Sequence, residues 1–198
     1  HRDLHSFPTR RSSDLEVVKK YTHQGAKDES TWARGQAWGI YGFAMAYKYT
    51  EDERFLNVSK KMADYFLKDL PNDFVPYWDL NLSGEEIPRD ASAAAIAASG
   101  MYLLSEQLGS KDEYIKFNSF ADKISKSLIA NYSFLNSKRE TEEGLLIHTV
   151  YNYHKDWAID ESYPCGDFYF TEVLKKYYSK QSASQFLTSY EDSDGTKM

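Results

Sequence analysis

Two side chains of complementary chemistry lie one helical turn apart in the segment TWARGQAW. Arg34 precedes Trp38 by four residues, a spacing that places both on the same side of a helix. A guanidinium can bind a carboxylate through two parallel hydrogen bonds, and an indole offers a flat apolar face to a sugar ring. The pair is suited to bind an acidic sugar. The alternative, which the spacing taken alone favours, is an exposed ion pair beside a core tryptophan.

Further polar residues flank this pair along the chain. Gln24 lies in the loop segment HQG and could either exchange hydrogen bonds with sugar hydroxyls or cap the loop. Asp79 follows a tryptophan, and Asp90 follows an arginine. Because Asp90 directly precedes an alanine-rich segment, we predict that it caps a helix. A catalytic role for Asp79 or Asp90 would require Arg34 to face the acid across a pocket.

The histidines and acids of the second half of the chain do not form a metal-binding pattern. His148, His154, Asp160 and Glu161 lack the i, i+4 spacing by which a helix presents two metal ligands. Cys165 is the sole cysteine in the sequence, which excludes an internal disulfide and a cysteine-based zinc site. We therefore predict no metal and no cofactor, and we expect Cys165 to be a small buried residue.

The composition argues against other classes of function. Lysine and arginine number 24 against 30 aspartates and glutamates, a net charge of -6, so no basic stripe is available to neutralise nucleic-acid phosphates. The sequence contains no apolar run long enough to cross a membrane. Aromatic residues make up 16% of the chain, an excess that suits a site for flat ligands such as sugar rings.

Two types of helix must position these residues. The segment TWARGQAWGIYGFAMAYKY is apolar nearly all round and predicts a buried helix, with Ser30 or Thr31 as its cap. Residues 53–67 predict an amphipathic outer helix, whose apolar positions are Phe55, Val58, Met62, Tyr65 and Phe66.

The same couplet recurs about sixty residues later. Asp90 precedes the alanine-rich helix ASAAAIAASGMYLLSEQLG, which Gly109 would close. A second amphipathic helix is predicted from apolar positions at Tyr114, Phe117, Phe120, Ala121, Ile124 and Leu128. A short strand within residues 145–151 and a helix near GDFYFTEVLKKYY are expected further on. Alternating inner and outer helices, joined by long loops, predict an all-α fold of the α/α toroid type.

Several motifs follow one another in a fixed order: HQG, STWARGQAWGIYGFAMAY, PYWDLN, PRDASAAAIAASGMYLL, GLLIH and DESYPCGDFYFTEVL. From Tyr21 to Tyr178 they resemble glycoside hydrolase family 88, the unsaturated glucuronyl hydrolases. WARGQAW and PRDASAAA are the most specific parts of the resemblance. The unsaturated rhamnogalacturonyl hydrolases, which carry a similar Arg-Gly segment, are a second candidate.

The resemblance implies a six-hairpin (α/α)6 barrel that acts on lyase-generated oligosaccharides ending in a 4,5-unsaturated uronic acid. In this family an aspartate protonates the C4=C5 double bond, water adds at C5, and the hemiketal rearranges to release the neighbouring sugar. Gln24, Arg34, Trp38 and Tyr151 match substrate-contacting residues of the family. The family occurs in the bacterial cytoplasm and periplasm, so the resemblance leaves the compartment open.

The start of the chain departs from the family pattern. The family's catalytic aspartates precede HQG, where this chain has HRDLHSFPTRRSSDL, which resembles a translated sequencing adapter. We expect residues 1–15 to be an artefact, residues 16–180 the C-terminal part of an incomplete α/α-barrel catalytic domain, and residues 181–198 a polar tail. The chain would then be an inactive fragment of a glycosidase without its catalytic residues or any signal peptide. A complete, non-enzymatic α-helical binding module is the competing hypothesis.

Overall fold

A computed structural model of the protein describes residues 21–134 and 143–194. In this part of the chain, five α-helices carry most of the structure, and one two-stranded antiparallel sheet lies between the fourth and the fifth. The helices are α1 (Ala33–Thr50), α2 (Glu53–Lys68), α3 (Ala91–Ser105), α4 (Lys111–Asn131) and α5 (Pro164–Asp194). The strands are β1 (Thr149–Asn152) and β2 (Trp157–Glu161), joined by a 3-10 turn. The predicted helical fold is confirmed.

The helices form an inner and an outer layer. All residues of α3 are buried, and α3 packs against α1, α4 and α5. Helix α2 packs outside α1, and α4 packs outside α3. These two couplets are the inner and outer pairs that the hydrophobic pattern predicts. The described part of the chain includes no helix that is long and apolar enough to span a membrane.

Small residues allow the inner helices to approach each other closely. A β-carbon added at Gly100 of α3 would lie 2.9 Å from the backbone nitrogen of Tyr41 and 3.0 Å from the Ile40 Cγ2 atom, both in α1. Only glycine fits here without displacing a helix backbone. Gly100 therefore allows the close approach of α1 and α3.

The buried face of α2 differs from the predicted one. Its buried side chains are Leu56, Ser59, Ala63 and Phe66. Val58 and Tyr65, which we expected in the apolar face, are 37% and 46% exposed. The Ser59 hydroxyl donates to the Ile40 carbonyl of α1 at 2.8 Å, so a polar residue takes the central place in this interface. On α4, Phe117, Ala121, Ile124 and Leu128 are buried as predicted.

Neither Ser30 nor Thr31 caps α1, contrary to our prediction. Trp32 occupies the N-cap position and makes no side-chain cap hydrogen bond. Instead, Trp32 forms an isolated antiparallel bridge with Asp79, and the Ala33 N–H donates to the Trp78 carbonyl at 3.1 Å. Tertiary backbone pairing therefore replaces the local cap at this helix start.

The end of α3 also differs from the prediction. The helix ends at Ser105 and not at Gly109. Beyond it the backbone hydrogen bonds tighten, because Gln107 N–H donates to Leu104 and Leu108 N–H donates to Ser105. This change from an i−4 to an i−3 pattern closes the helix before the glycine is reached.

The predicted strand within residues 145–151 lies later than expected. It begins at Thr149 and pairs with β2, which we did not predict, in a register that places Val150 opposite Ile159 and Asn152 opposite Trp157. The expected artefact at residues 1–15 lies outside the described residues. The backbone of α5 continues through the predicted polar tail as far as Asp194.

Candidate functional site

Arg34 lies in the first turn of α1, and its side chain is only 4% exposed. Its Nη1 atom donates to Asp90 Oδ2 at 3.1 Å, to Ser92 Oγ at 3.3 Å and to the carbonyl of Val150. The Asp90 side chain is fully buried. The sequence alone favoured an exposed ion pair at Arg34, whereas the structure shows a buried one.

The second terminal nitrogen of Arg34 faces a less buried region. Nη2 donates to Gln24 Oε1 at 3.2 Å and to the carbonyl of Tyr151 at 2.5 Å, and both contacts are partly buried. Two of the predicted site residues, Gln24 and Tyr151, therefore contact a third, Arg34, at its Nη2 atom. Tyr151 makes this contact through its backbone carbonyl. This brings together the loop before α1, the start of α1 and strand β1.

Two aromatic rings enclose the guanidinium. The Arg34 Cζ atom lies 4.8 Å from the ring centroid of Trp32 and 5.3 Å from that of Tyr163. The Tyr163 hydroxyl donates to Ser92 Oγ at 3.2 Å. Cation–π contacts of this kind are strongest where water is excluded. We call Gln24, Trp32, Arg34, Asp90, Ser92 and Tyr163 the Arg34 cluster.

Asp90 has a second role at the start of α3, where it is the predicted N-cap residue. Its Oδ1 atom accepts from the N–H of Ser92 at 3.1 Å and of Ala93 at 3.3 Å, and from the Ser92 hydroxyl. The capping prediction is therefore confirmed. Burial raises the pKa of the Asp90 carboxyl, while Arg34 and these donors act in the opposite direction.

Asp79 organises the loop that carries Gln24. It is fully buried, and its Oδ2 atom accepts from Ala26 N–H at 2.8 Å and from the Ser30 hydroxyl at 2.7 Å. Since Asp79 is buried and hydrogen-bonded to the loop, and Asp90 touches Arg34 directly, neither acid faces Arg34 across a pocket. The geometry required for a catalytic Asp79 or Asp90 is not observed.

Trp38 lies one turn further along α1 and is half-buried. Its ring packs edge-on against Tyr169 of α5, with ring centroids 5.1 Å apart. Arg34 and Trp38 therefore face the same part of the chain, the start of α5, through Tyr163 and Tyr169.

The Tyr151 side chain belongs to an exposed aromatic group on the hairpin of β1 and β2. It is 46% exposed, stacks on Trp157 at 6.0 Å and packs against Tyr163 at 5.6 Å. Lys155 Nζ lies 4.5 Å from the centroid of the Trp157 ring. Our sequence analysis did not single out Trp157 or Tyr163, although Tyr163 stands in the motif DESYPCGDF.

A cavity of about 630 Å³ adjoins the Arg34 cluster at Tyr163. It is also lined by three carboxylic acids, Glu143, Glu161 and Asp167. Its volume lies within the range of small-molecule sites. The cavity therefore adjoins the residue whose ring packs on the Arg34 guanidinium.

The histidines of this region hold the hairpin in place. His154 Nε2 lies 2.7 Å from the carbonyl oxygen of Gly25, next to Gln24, and His148 Nδ1 pairs with Asp160. Within residues 21–134 and 143–194, no group of three or more histidine, cysteine or acidic side chains is arranged to hold a metal ion. Cys165 is half-buried and unpaired by a disulfide.

Comparison with known proteins extends this description. No protein-family model matches the chain. An unsaturated chondroitin disaccharide hydrolase of Streptococcus agalactiae is 40% identical over 165 residues, which are 82% of this chain and 41% of that protein. An unsaturated glucuronyl hydrolase of Formosa agariphila is 40% identical over 166 residues, covering 81% of this chain and 40% of that protein.

A solved structure gives the same result for the fold. The unsaturated glucuronyl hydrolase of Streptococcus agalactiae, an aspartate-to-asparagine mutant complexed with dGlcA-GalNAc6S, matches with a TM-score of 0.70 and 38% identity. The match covers 85% of this chain and 45% of that one. This chain thus spans about 40% of the length of the curated relatives that it matches.

The fold and the matched structures show that the described part of the chain is a section of an α/α barrel. Over 81–82% of its length, the chain is 40% identical to part of the unsaturated glucuronyl hydrolases, glycoside hydrolase family 88. The family resemblance seen in the sequence is therefore confirmed.

Proposed function

We propose that this chain forms part of the sugar-binding site of a glycosidase that removes 4,5-unsaturated glucuronic acid from lyase-generated oligosaccharides. In the proposed reaction, hydration of the C4=C5 double bond leads to release of the neighbouring sugar. The observation that carries the proposal is the buried, aromatic-enclosed guanidinium of Arg34 in a chain about 40% identical to unsaturated glucuronyl hydrolases.

The arrangement around Arg34 suggests the direction from which a ligand approaches. Nη1 is buried against Asp90, whereas Nη2 lies in a partly buried region beside Gln24 and the exposed Tyr151. A carboxylate of the sugar would therefore approach the Nη2 side, where it would compete with Gln24 Oε1 and the Tyr151 carbonyl for the two N–H groups. The low dielectric of the cluster strengthens the attraction of the guanidinium for such an anion.

The other proposed contacts have separate roles. Arg34 holds Gln24 through Oε1, which leaves the orientation of the Gln24 amide nitrogen fixed as a donor to sugar hydroxyls. The half-buried Trp38 ring and the exposed Tyr151 ring supply flat faces for sugar rings. We propose Gln24, Arg34, Trp38 and Tyr151 as substrate-binding residues.

Neither Asp79 nor Asp90 supplies the proton donor of the proposed reaction. Asp79 and Asp90 are fully buried in structural hydrogen bonds. General acid–base catalysis typically contributes about 10²- to 10⁴-fold to a rate. We therefore propose that the 198-residue chain by itself does not turn over substrate, and that the activity needs the parts of the relatives that this chain does not span.

A chimeric enzyme tests the proposed function. The segment of the S. agalactiae hydrolase that aligns with this chain is replaced by the corresponding residues of this chain, and hydrolysis of an unsaturated chondroitin disaccharide is followed by loss of the ultraviolet absorbance of its double bond. We expect turnover by the chimera and none by the 198-residue chain. A folded but inactive chimera would contradict the sugar-binding role. This is the result that the competing hypothesis, a non-enzymatic binding module, predicts. Turnover by the chain alone would refute the absence of the proton donor.

A further inference from the structure

We infer that Asp90 is a positioning residue, which fixes the Arg34 guanidinium so that its Nη2 atom faces the sugar-binding site. The consequence for ligand binding rests on the function proposed above. The geometry of Arg34 does not rest on it and can be tested without a ligand.

The two oxygens of the Asp90 carboxylate divide two tasks between them. Oδ1 accepts the hydrogen bonds that cap α3, from the N–H of Ser92 at 3.1 Å and of Ala93 at 3.3 Å. Oδ2 accepts from Arg34 Nη1 at 3.1 Å. Because the cap fixes the rotation of the carboxylate, Oδ2 has a defined position relative to the rigid inner helix α3.

Ser92 and Tyr163 support the same orientation from a second side. The Ser92 hydroxyl donates to Asp90 Oδ1, and its oxygen accepts from the Tyr163 hydroxyl at 3.2 Å. The Tyr163 ring packs on the guanidinium, with Arg34 Cζ 5.3 Å from the ring centroid. Asp90 therefore connects the helix start, the arginine and the aromatic ring in one hydrogen-bonded unit.

Burial makes the charge of Asp90 necessary for this arrangement. The side chains of Arg34 and Asp90 are 4% and 0% exposed, so neither charge is compensated by water. Asn at position 90 keeps the shape and can still cap the helix, but it leaves the guanidinium without a counter-ion. The guanidinium of the Asp90→Asn variant should then leave its position or rotate between several.

Nuclear magnetic resonance of the arginine-labelled, full 198-residue chain tests the position of the guanidinium. The Arg34 side-chain signals are assigned by their loss in Arg34→Lys. We expect resolved Nη signals, which indicate hindered rotation, in the wild type and averaged signals in Asp90→Asn. Asp122→Asn, which removes another carboxylate that binds a tyrosine hydroxyl, is the matched control and should leave them resolved. Resolved Arg34 signals in a folded Asp90→Asn variant would overturn the inference.

A double-mutant cycle on ligand binding separates a positioning role from a merely structural one. Titration with an unsaturated chondroitin disaccharide should give a dissociation constant raised about 10- to 100-fold in Asp90→Asn, the size expected from loss of a hydrogen bond to a charged group. In an Arg34→Gln background, Asp90→Asn should have no further effect. Additive losses would contradict a role through Arg34.

Two further outcomes are decisive. If the wild-type chain does not bind the disaccharide, the proposed function fails, and the magnetic resonance comparison alone decides whether Asp90 positions Arg34. If Asp90→Asn does not fold, the double variant Arg34→Gln with Asp90→Asn tests whether the two residues act as a pair, because it removes both buried charges. Recovery of the folded state supports the pairing, and an unfolded double variant contradicts it.

Discussion

Helix α3 joins two regions that are equally buried but differ in chemistry. Along its length, small and apolar side chains fill the space between α1, α4 and α5, and all residues are buried. At its first turn, Asp90 and Arg34 bury two opposite charges. Apolar packing stabilises a fold at little electrostatic cost. Burial of an ion pair removes two charges from water, and the cost of this desolvation can exceed the attraction between the charges. The difference points to function rather than stability as the reason for the charged end.

The largest effect should come from removal of one charge of the buried pair. Arg34→Gln leaves Asp90 unpaired and should lower the free energy of unfolding by about 3–5 kcal/mol. Urea unfolding followed by circular dichroism measures this. The variant Arg34→Gln with Asp90→Asn is the control, and it should recover most of the loss. If the double variant lost as much free energy of unfolding as the single one, the charged region would not depend on the pairing of its two charges.

The same variant should acquire a characteristic dependence on pH. Burial already raises the pKa of Asp90 above its ordinary value of 3.8, and loss of Arg34 removes an influence that lowers it. A carboxyl whose folded-state pKa is raised stabilises the fold below its unfolded pKa, and this contribution is lost as the pH rises through the folded pKa. The free energy of unfolding of Arg34→Gln should therefore fall as the pH rises above about 4 and through the raised pKa of Asp90. The double variant should not show this additional fall.

The apolar region should be sensitive to volume and not to charge. Gly100→Val places a side chain within 2.9 Å of the α1 backbone and should lower the free energy of unfolding by about 1–3 kcal/mol at any pH. Gly42→Ala is the matched control, since an added β-carbon there meets no atom within 4 Å. It should raise stability by up to about 1 kcal/mol. If Gly100→Val were neutral, close approach of α1 and α3 would not limit the fold.

A neutral buried hydrogen bond should give a smaller effect. The Ser59 hydroxyl of α2 is fully buried and donates to the Ile40 carbonyl of α1 at 2.8 Å. Ser59→Ala should cost about 0.5–1.5 kcal/mol in urea unfolding. A loss as large as that of Arg34→Gln would show that the interior is as sensitive to neutral polar groups as to charges.

An exposed ion pair should give the smallest effect. Lys116 pairs with Asp64 at 2.6 Å, and their side chains are 46% and 51% exposed. Lys116→Ala should change the free energy of unfolding by less than about 1 kcal/mol, and less at high salt. A salt-independent loss of several kcal/mol would mean that burial is not what separates this pair from that of Arg34 and Asp90.

The apolar region was largely predictable from the sequence. The run of alanines, the amphipathic pattern of α4 and the cap at Asp90 are local features, because each depends on residues that are close together in the sequence. The buried face of α2 was predicted less well, because Ser59 takes an apolar position through a hydrogen bond to another helix.

The contacts of the charged region were not predictable in the same way. Arg34 and Asp90 are 56 residues apart, and a single sequence does not reveal which distant acid an arginine meets. The sequence suggested a site through the spacing of Arg34 and Trp38, but the ring of Tyr163 and the carbonyl acceptors of Val150 and Tyr151 follow only from the packing of β1 and α5.

Binding of a carboxylate by Arg34 can be measured directly. Calorimetric titration of the 198-residue chain compares an unsaturated chondroitin disaccharide with its uronate methyl ester, which keeps the ring and removes the charge. We predict a dissociation constant at least about tenfold lower for the acid, and no preference for the acid in Arg34→Gln. Equal affinities of the wild-type chain for the acid and the ester would contradict the account.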